Sequence, residues 1–128
     1  MMVAGIGSRK GVSVEDVLAA IETALEAHGL AMTAISALAT AALKKDEEAI
    51  AAAGRALNLP VIIVDDSALQ AASPGTLSNS GLSQDLAGTP SVSEASALAV
   101  AGAGARLLGP RSVLGPVTCA IAISGDAP

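Results

Sequence analysis

The first half of the chain alternates short aliphatic runs with segments in which aliphatic side chains recur every three or four residues. The runs predict strands at 3–6, 33–40 and 60–64. The last run reads Pro-Val-Ile-Ile-Val, which is typical of a strand buried on both faces. The recurring pattern predicts two helices, one that follows Ser13 and one that follows the charged segment 44–48.

The ends of these helices can be predicted from capping residues. Ser13 and Asp16 stand at the positions of a shortened capping box, in which each side chain accepts a hydrogen bond from the other's backbone. His28 and Gly29 form a stop for the first helix, and Asn58 lies near the end of the second. Two well-delimited helices are therefore expected between the strands.

The middle of the chain is less regular. A short helix is predicted at 65–72, followed by a segment at 73–90 that is dense in Ser, Gly, Pro and Thr. A structureless loop of that length is unusual in a compact domain, so we expect it to be functional or partly helical. Ser91 and Glu94 then form a capping box for another helix that runs to about residue 101.

Aliphatic runs at 105–108 and 117–123 predict two further strands with no helix between them, which allows an antiparallel pairing at this end of the sheet. Alternating strands and helices with buried strands are typical of layered α/β domains. The sequence therefore predicts an α/β fold: a single three-layer α/β/α domain over 1–128, with a mostly parallel, mixed sheet of about five strands.

Composition and charge exclude several classes of function. The chain has 128 residues, 52% of them hydrophobic and none aromatic, with a formal net charge of −5. It therefore lacks stacking platforms for single-stranded nucleic acid, and its acidic balance does not suit duplex nucleic acid or an anionic membrane surface. The longest uncharged stretch, 27–43, is too short to cross a membrane, and the N-terminus does not match a signal peptide, so we expect a cytoplasmic protein.

The few reactive residues favour structural roles. Cys119 lies in an apolar run and is predicted to be a buried, inert thiol, and His28 is predicted to cap a helix. With one cysteine and one histidine, the chain offers no multi-cysteine or histidine-based metal site, and we expect no cofactor. Asp65 and Asp66 could act as acid or base at the end of a strand, but capping the next helix is the simpler role.

A glycine-rich turn joins the first strand to the first helix. The segment 5–11 reads Gly-Ile-Gly-Ser-Arg-Lys-Gly, and glycines let backbone N–H groups approach an anion at the start of a helix. The segment is not a dinucleotide fingerprint, because its third glycine, Gly11, comes one residue late, and it lacks the Gly-Lys-Ser/Thr of a Walker A loop. The alternatives are an anion site or a tight turn that carries two solvated cations.

Two cation pairs favour the anion site. Arg9 and Lys10 follow the first predicted strand, and Lys44 and Lys45 follow the second. If these strands are parallel, both pairs lie at the carboxyl edge of the sheet, where open α/β sheets bind ligands. The alternative is that the lysines pair with the neighbouring acids at 46–48 as weak, solvated ion pairs.

Five segments, in order along nearly the whole chain, resemble the CobE family of cobalamin biosynthesis, which is similar to the C-terminal domain of CbiG. They are GIGSRKG at 5–11, LKKDE at 43–47, LNLP at 57–60, PSVSEASAL at 90–98 and VTCAIA at 117–122. The resemblance implies a small α/β/α protein of the corrin-ring stage of vitamin B12 synthesis. Ser8 stands where many relatives are expected to have Cys, and Arg111 stands where a late Lys is common.

What the resemblance implies about function is a choice between three hypotheses. The first is a carrier or accessory protein that binds a precorrin-type corrin intermediate, a large apolar macrocycle fringed with carboxylates. The second is a hydrolase that opens a precorrin lactone, as in CbiG, with Asp46 or Glu47 positioning water. The third is a structural subunit that works with other enzymes of the pathway. For the first hypothesis the predicted ligand-binding residues are Gly5, Gly7, Ser8, Arg9, Lys10, Gly11, Lys44, Lys45 and Arg111.

Overall fold

The computed structural model describes residues 1–8, 12–41, 48–72, 92–102, 104–109, 111–115 and 117–124. Its strands are β1 (Met2–Ser8), β2 (Ala37–Ala41), β3 (Val61–Val64), β4 (Arg106–Leu107), β5 (Ser112–Leu114) and β6 (Val117–Ile123). Its helices are α1 (Val14–Ala27), α2 (Glu48–Leu57), α3 (Asp66–Ala72) and α4 (Val92–Ala101), with a short 3₁₀ turn at Met32–Ala34. The predicted segment 73–90 and its capping residue Ser91 lie outside the described residues.

These strands form one mixed sheet in the order β3-β2-β1-β6-β4. β4 pairs with the last residues of β6, and β5 pairs with the first residues of the same strand. The pairs β1–β2 and β2–β3 are parallel, as expected of strands joined through helices. β6 runs antiparallel to β1 along its whole length, from Met2 opposite Ile123 to Ser8 opposite Val117. The predicted class, an α/β domain with a mixed sheet, is confirmed.

The two faces of the sheet bury two separate clusters of small aliphatic side chains. Ala4 and Ile6 of β1 face the layer of α1 and α2, whereas Val3 and Ala39 face the layer of α3 and α4. Successive side chains of a strand point to opposite faces, so the same short strands serve both layers. The three layers of the predicted architecture follow from this alternation.

Gly5 shows how closely these layers approach. A Cβ atom built on Gly5 would lie 1.9 Å from the carbonyl oxygen of Ser93 and 2.8 Å from the backbone nitrogen of Ala97. No side chain fits there, so the backbone of α4 rests directly on β1. Because Ser93 also lies near Gly7 at 3.7 Å, α4 runs antiparallel to β1 and begins beside the end of that strand.

The capping predictions are confirmed where the structure describes them. The amide of Asp16 donates to the Ser13 hydroxyl at 3.1 Å, and the Ser13 amide donates to the Asp16 carboxylate at 3.2 Å. His28 is the C-cap of α1, and Gly29 has the left-handed backbone (φ +67°) that glycine adopts without strain. Asn58 ends α2 in the same left-handed region, at φ 59°.

Two strand predictions need correction. The segment predicted as a strand at 33–40 forms the 3₁₀ turn first, and β2 begins only at Ala37, opposite Val3. The amide of Ser36 still donates to the carbonyl of Met2 at 2.7 Å, but β1 begins there and offers no partner to the residues before Ser36.

β3 is not buried on both faces. Among the described strands it pairs with β2 alone, so it lies at the edge of the sheet. Ile62 and Ile63 are 37% and 46% exposed. The sequence pattern of β3 matches that of a central strand, but the chain returns later as β6 and takes the place beside β1.

Within the described ranges, no helix is both long and apolar enough to cross a membrane. The longest of these helices, α1, has 14 residues and a polar face that carries Glu15 and Asp16.

Substitution of Gly5 by alanine should lower the free energy of unfolding by about 3 kcal/mol, because the new Cβ overlaps backbone atoms of α4 that cannot move independently. Gly29→Ala is the matched control, since no atom lies within 4 Å of its Cβ and only the left-handed backbone opposes the change. It should cost about 1 kcal/mol. Urea denaturation followed by far-ultraviolet circular dichroism measures both; equal losses would contradict the packing role of Gly5.

Candidate functional site

The carboxyl ends of the parallel strands meet at one edge of the sheet, which we call the carboxyl edge: Ser8 of β1, Ala41 of β2 and Val64 of β3. α1, α2 and α3 each begin after one of these strands, and α4 begins beside Gly7. Four helix N-termini therefore lie around this edge, where open α/β sheets bind their ligands.

Each of these helix starts carries an acidic residue of its own. Asp16 closes the capping box of α1, and the carboxylate of Asp65 accepts the amide of Ala68 at 2.9 Å at the start of α3. Glu48 and Glu94 lie in the first turns of α2 and α4. Since these acids compensate the positive ends of the helix dipoles, a bound anion would depend chiefly on cationic side chains.

The hydroxyls of two threonines donate hydrogen bonds to carbonyl groups near the end of β1. Thr40 of β2 donates to the carbonyl of Ile6 at 2.9 Å, and Thr118 of β6 donates to the carbonyl of Gly7 at 3.3 Å. Ser8, by contrast, is only 7% exposed, and its buried hydroxyl has no hydrogen-bond partner among the described residues. Buried polar groups are nearly always paired in native structures, so Ser8 is an exception at the position where a ligand is predicted.

The predicted residues that the structure describes occupy different positions. Gly5 and Gly7 face α4, and their closeness to Ser93 accounts for glycine at Gly5 by packing alone. Ser8 lies at the carboxyl edge, while Arg111 precedes β5, two strands away from β1. The structure thus brings Gly7 and Ser8 together with the start of α4 and leaves Arg111 on the far side of β6.

The remaining predicted residues are outside the described ranges: Arg9, Lys10, Gly11, Lys44, Lys45, Asp46 and Glu47. The parallel pairing of β1 with β2, on which the prediction of a shared cationic edge depends, is confirmed.

Arg111 is anchored through its main chain to a buried carboxylate. Its backbone N–H donates to Oε2 of Glu94 at 2.8 Å, and the Glu94 side chain is completely buried in the first turn of α4. The guanidinium of Arg111 forms no ion pair with a described carboxylate. Arg106, by comparison, lies on β4 opposite Ile123, at the other end of β6.

The sequence analysis missed β5 and its two exposed aliphatic residues, Val113 and Leu114. Val113 is 61% exposed and Leu114 is 39% exposed, and both lie next to the turn at Gly115 that leads into β6. The signal was present in the sequence: Gly115 and Pro116 separate two β-prone runs, which is the pattern of a hairpin.

The other reactive residues do not form a catalytic group in the described part of the chain. Asp65 caps α3, and His28 packs its ring close to Gly109 at the end of α1. No cluster of His, Cys, Asp and Glu suited to a metal ion occurs among the described residues. Burial raises the pKa of the Cys119 thiol to about 12, so the thiol is a poor nucleophile near neutral pH.

Comparison with known proteins gives consistent matches over nearly the whole chain. The family model described as cobalamin synthesis G C-terminus matches residues 2–122. The chain is similar to CobE, a protein from the cobalamin biosynthetic pathway, with 35% identity, a TM-score of 0.88, and coverage of 95% of this chain and 89% of that chain. It is also similar to the cobalamin biosynthesis protein chiG from Agrobacterium tumefaciens str. C58, with 46% identity, a TM-score of 0.79, and coverage of 98% and 100%.

A more distant likeness concerns the fold alone. A cobalamin biosynthesis protein G homolog from Sulfolobus solfataricus is 23% identical with a TM-score of 0.74, and the match covers 94% of this chain but 36% of that longer chain. No curated protein matches the sequence.

Ser8→Ala should raise the free energy of unfolding by about 1 kcal/mol, because it removes a buried hydroxyl that has no partner. Thr40→Val is the control: its hydroxyl donates to Ile6, and its loss should lower stability by about 1 kcal/mol. Urea denaturation measures both changes. Destabilisation by Ser8→Ala would mean that the hydroxyl is satisfied in the folded protein.

The Cys119 thiol should react with a disulfide reagent at pH 8 only as fast as the protein unfolds, whereas the urea-denatured chain should react at once. Burial raises its pKa from the ordinary value of 9.0 to about 12, so the contribution of the thiol to stability is complete below pH 9 and is lost as the pH rises towards 12. Cys119→Val should remove this part of the alkaline loss in a pH series of urea denaturations. Rapid labelling of the native protein would contradict the buried state.

Proposed function

Because the chain belongs to the family of the cobalamin synthesis G C-terminus, whose relatives are cobalamin biosynthesis proteins, we propose that it binds precorrin-type polycarboxylate tetrapyrroles as a carrier or accessory protein. One structural observation supports ligand binding in addition to membership of the pathway. The parallel strands β1 and β2 end side by side, and the chain continues from them into Arg9-Lys10 and Lys44-Lys45. An acidic protein that gathers its cations after neighbouring parallel strands suits a small polyanion.

The chemistry of the proposed ligand fits the residue types around this edge. Corrin intermediates combine an apolar macrocycle with a rim of acetate and propionate groups. Lysine and arginine side chains bind carboxylates through charge-assisted hydrogen bonds, and aliphatic side chains suit the ring. The acids at the described helix starts leave little positive helix dipole for an anion, so the proposal assigns the rim chiefly to Arg9, Lys10, Lys44 and Lys45.

In this proposal the glycine segment and Ser8 complete the site. Gly7 and Gly11 let the backbone approach a carboxylate, and the Ser8 hydroxyl is available as a donor to it. Ligand binding would give this buried hydroxyl the partner that it lacks.

The hydrolase is the alternative to this proposal. A hydrolase would need an acid or base beside the bound lactone, and the candidates for that role, Asp46 and Glu47, lie outside the described residues. Of the described groups, Cys119 is buried with a raised pKa, and His28 lies at the C-terminal end of α1, away from the carboxyl edge. Turnover of a lactone-bearing precorrin by the isolated protein, lost in Glu47→Gln, would replace the carrier proposal with the hydrolase.

The test is a titration with cobyrinic acid, a corrin whose side chains end in free carboxylates, followed by the visible absorption of the ligand. The protein has no aromatic side chains, so the near-ultraviolet and visible spectra belong to the corrin. The double reversal Arg9→Glu/Lys10→Glu should weaken binding about tenfold or more, since two attractive contacts become repulsive.

The matched control is Arg55→Glu/Arg106→Glu, which changes the net charge by the same amount away from the carboxyl edge. Its affinity should stay within about twofold of the wild type, because exposed charges at a distance are screened by salt. Equal weakening of binding by both double variants would mean that the net charge, and not the position of the cations, causes the effect. Absence of binding by the wild type would leave the structural subunit, which predicts co-purification with a pathway enzyme.

A further inference from the structure

The molecule exposes aliphatic side chains at both edges of its sheet, and the charges beside them differ. On β3, Ile62 and Ile63 are exposed next to Asp65, along an open cavity of about 330 Å³. On β5, Val113 and Leu114 are exposed shortly after Arg111. An apolar ring with an anionic rim is repelled by the first surface and attracted by the second.

Register places the β5 surface in line with the carboxyl edge. Val113 is opposite Thr118 on β6, and Thr118 is opposite Gly7 on β1, so the three residues form one row across three strands. Directly opposed residues of antiparallel strands share a face, and this is the face on which α4 begins. Exposure increases along the row from Gly7, which is buried, through Thr118 to Val113.

Arg111 is held beside this row by its main chain and not by its side chain. The completely buried Glu94 accepts its backbone N–H at 2.8 Å, so the start of β5 is tied to the first turn of α4. The guanidinium has no ion pair with a described carboxylate. Because the backbone of Arg111 is held in place and its guanidinium has no described ion-pair partner, this side chain is suited to pair with a ligand carboxylate.

We propose that the segment 111–114 is a ligand-contacting arm of the binding site: Val113 packs against the apolar ring of the tetrapyrrole, and Arg111 pairs with one of its rim carboxylates. Glu94 is a positioning residue that sets where Arg111 stands. This inference rests on the proposed function, because it names the second wall of the same site, across β6 from Ser8.

The test measures the affinity for cobyrinic acid by its visible absorption in single variants, each paired with a control of the same residue type or character elsewhere on the sheet. Arg111→Ala should weaken binding about tenfold and Val113→Ser about fivefold. Arg106→Ala removes an arginine at the other end of β6, opposite Ile123, and Ile63→Ser removes an exposed aliphatic side chain on β3. Both controls should bind within about twofold of the wild type.

Cobinamide, whose peripheral groups are amides, separates the two contacts. With this ligand the effect of Arg111→Ala should disappear, because no carboxylate remains to pair with, while the effect of Val113→Ser should persist. A loss that is the same for both ligands would overturn the ion pair at Arg111.

The role of Glu94 is tested by conservative replacement. Glu94→Gln retains an oxygen that can accept the Arg111 amide, and its affinity should stay within about threefold of the wild type. Glu94→Ala should weaken binding, and adding Arg111→Ala to it should weaken binding little further, because the two act through one contact. Additive losses in this cycle would overturn the positioning role.

The outcomes separate this inference from the function on which it rests. If the wild type does not bind cobyrinic acid, the proposed function fails. If the wild type binds and both Arg111→Ala and Val113→Ser bind as tightly as the wild type, the proposal that segment 111–114 contacts the ligand is overturned, while the proposed function stands. Circular dichroism of each variant shows that a lost affinity belongs to a folded protein.

Discussion

The contact between Gly5 and the backbone of α4 is the constraint on which the carboxyl edge depends. Because no side chain separates the two, the first turn of α4 reaches the end of β1 and lies beside Gly7. That depth buries Glu94 completely, and its carboxylate can then hold the main chain of Arg111. The close packing at Gly5 thus influences the position of β5, which is separated from β1 by two strand pairings, β1–β6 and β6–β5.

In the proposed function, an acidic domain binds an anion at this edge, and the helix ends there limit how it can do so. Helix N-termini attract anions, but at each described helix start an acidic residue of the chain is already present. The positive ends of the described helices are therefore largely compensated by acidic side chains of the chain itself. The proposed site therefore relies on side-chain cations and on the Ser8 hydroxyl, which has no partner among the described residues.

Local features of this fold could be predicted from the sequence, and long-range ones could not. The caps at Ser13 and His28 depend on residues within one turn, so short sequence patterns identify them. The parallel pairing of β1 and β2 follows from the helix between them. For the candidate site, the order of motifs indicated the family and the two cation pairs indicated the edge. The hydrogen bond from Arg111 to Glu94 could not be predicted, because it joins residues 17 positions apart in separate elements.

β3 and β6 show why the remainder escaped prediction. Both are aliphatic runs that fit a strand buried on two faces, yet β6 lies between β1 and β4, while β3 is left at the edge. The positions of β3 and β6 in the sheet depend on which strand pairs with β1, and a local sequence pattern does not indicate this pairing. The result is an exposed aliphatic surface at each edge, and apolar surface alone does not select a ligand. The selection comes from the neighbouring charge, a carboxylate at Asp65 on one edge and the guanidinium of Arg111 on the other, so the ligand's own charge decides which edge it uses.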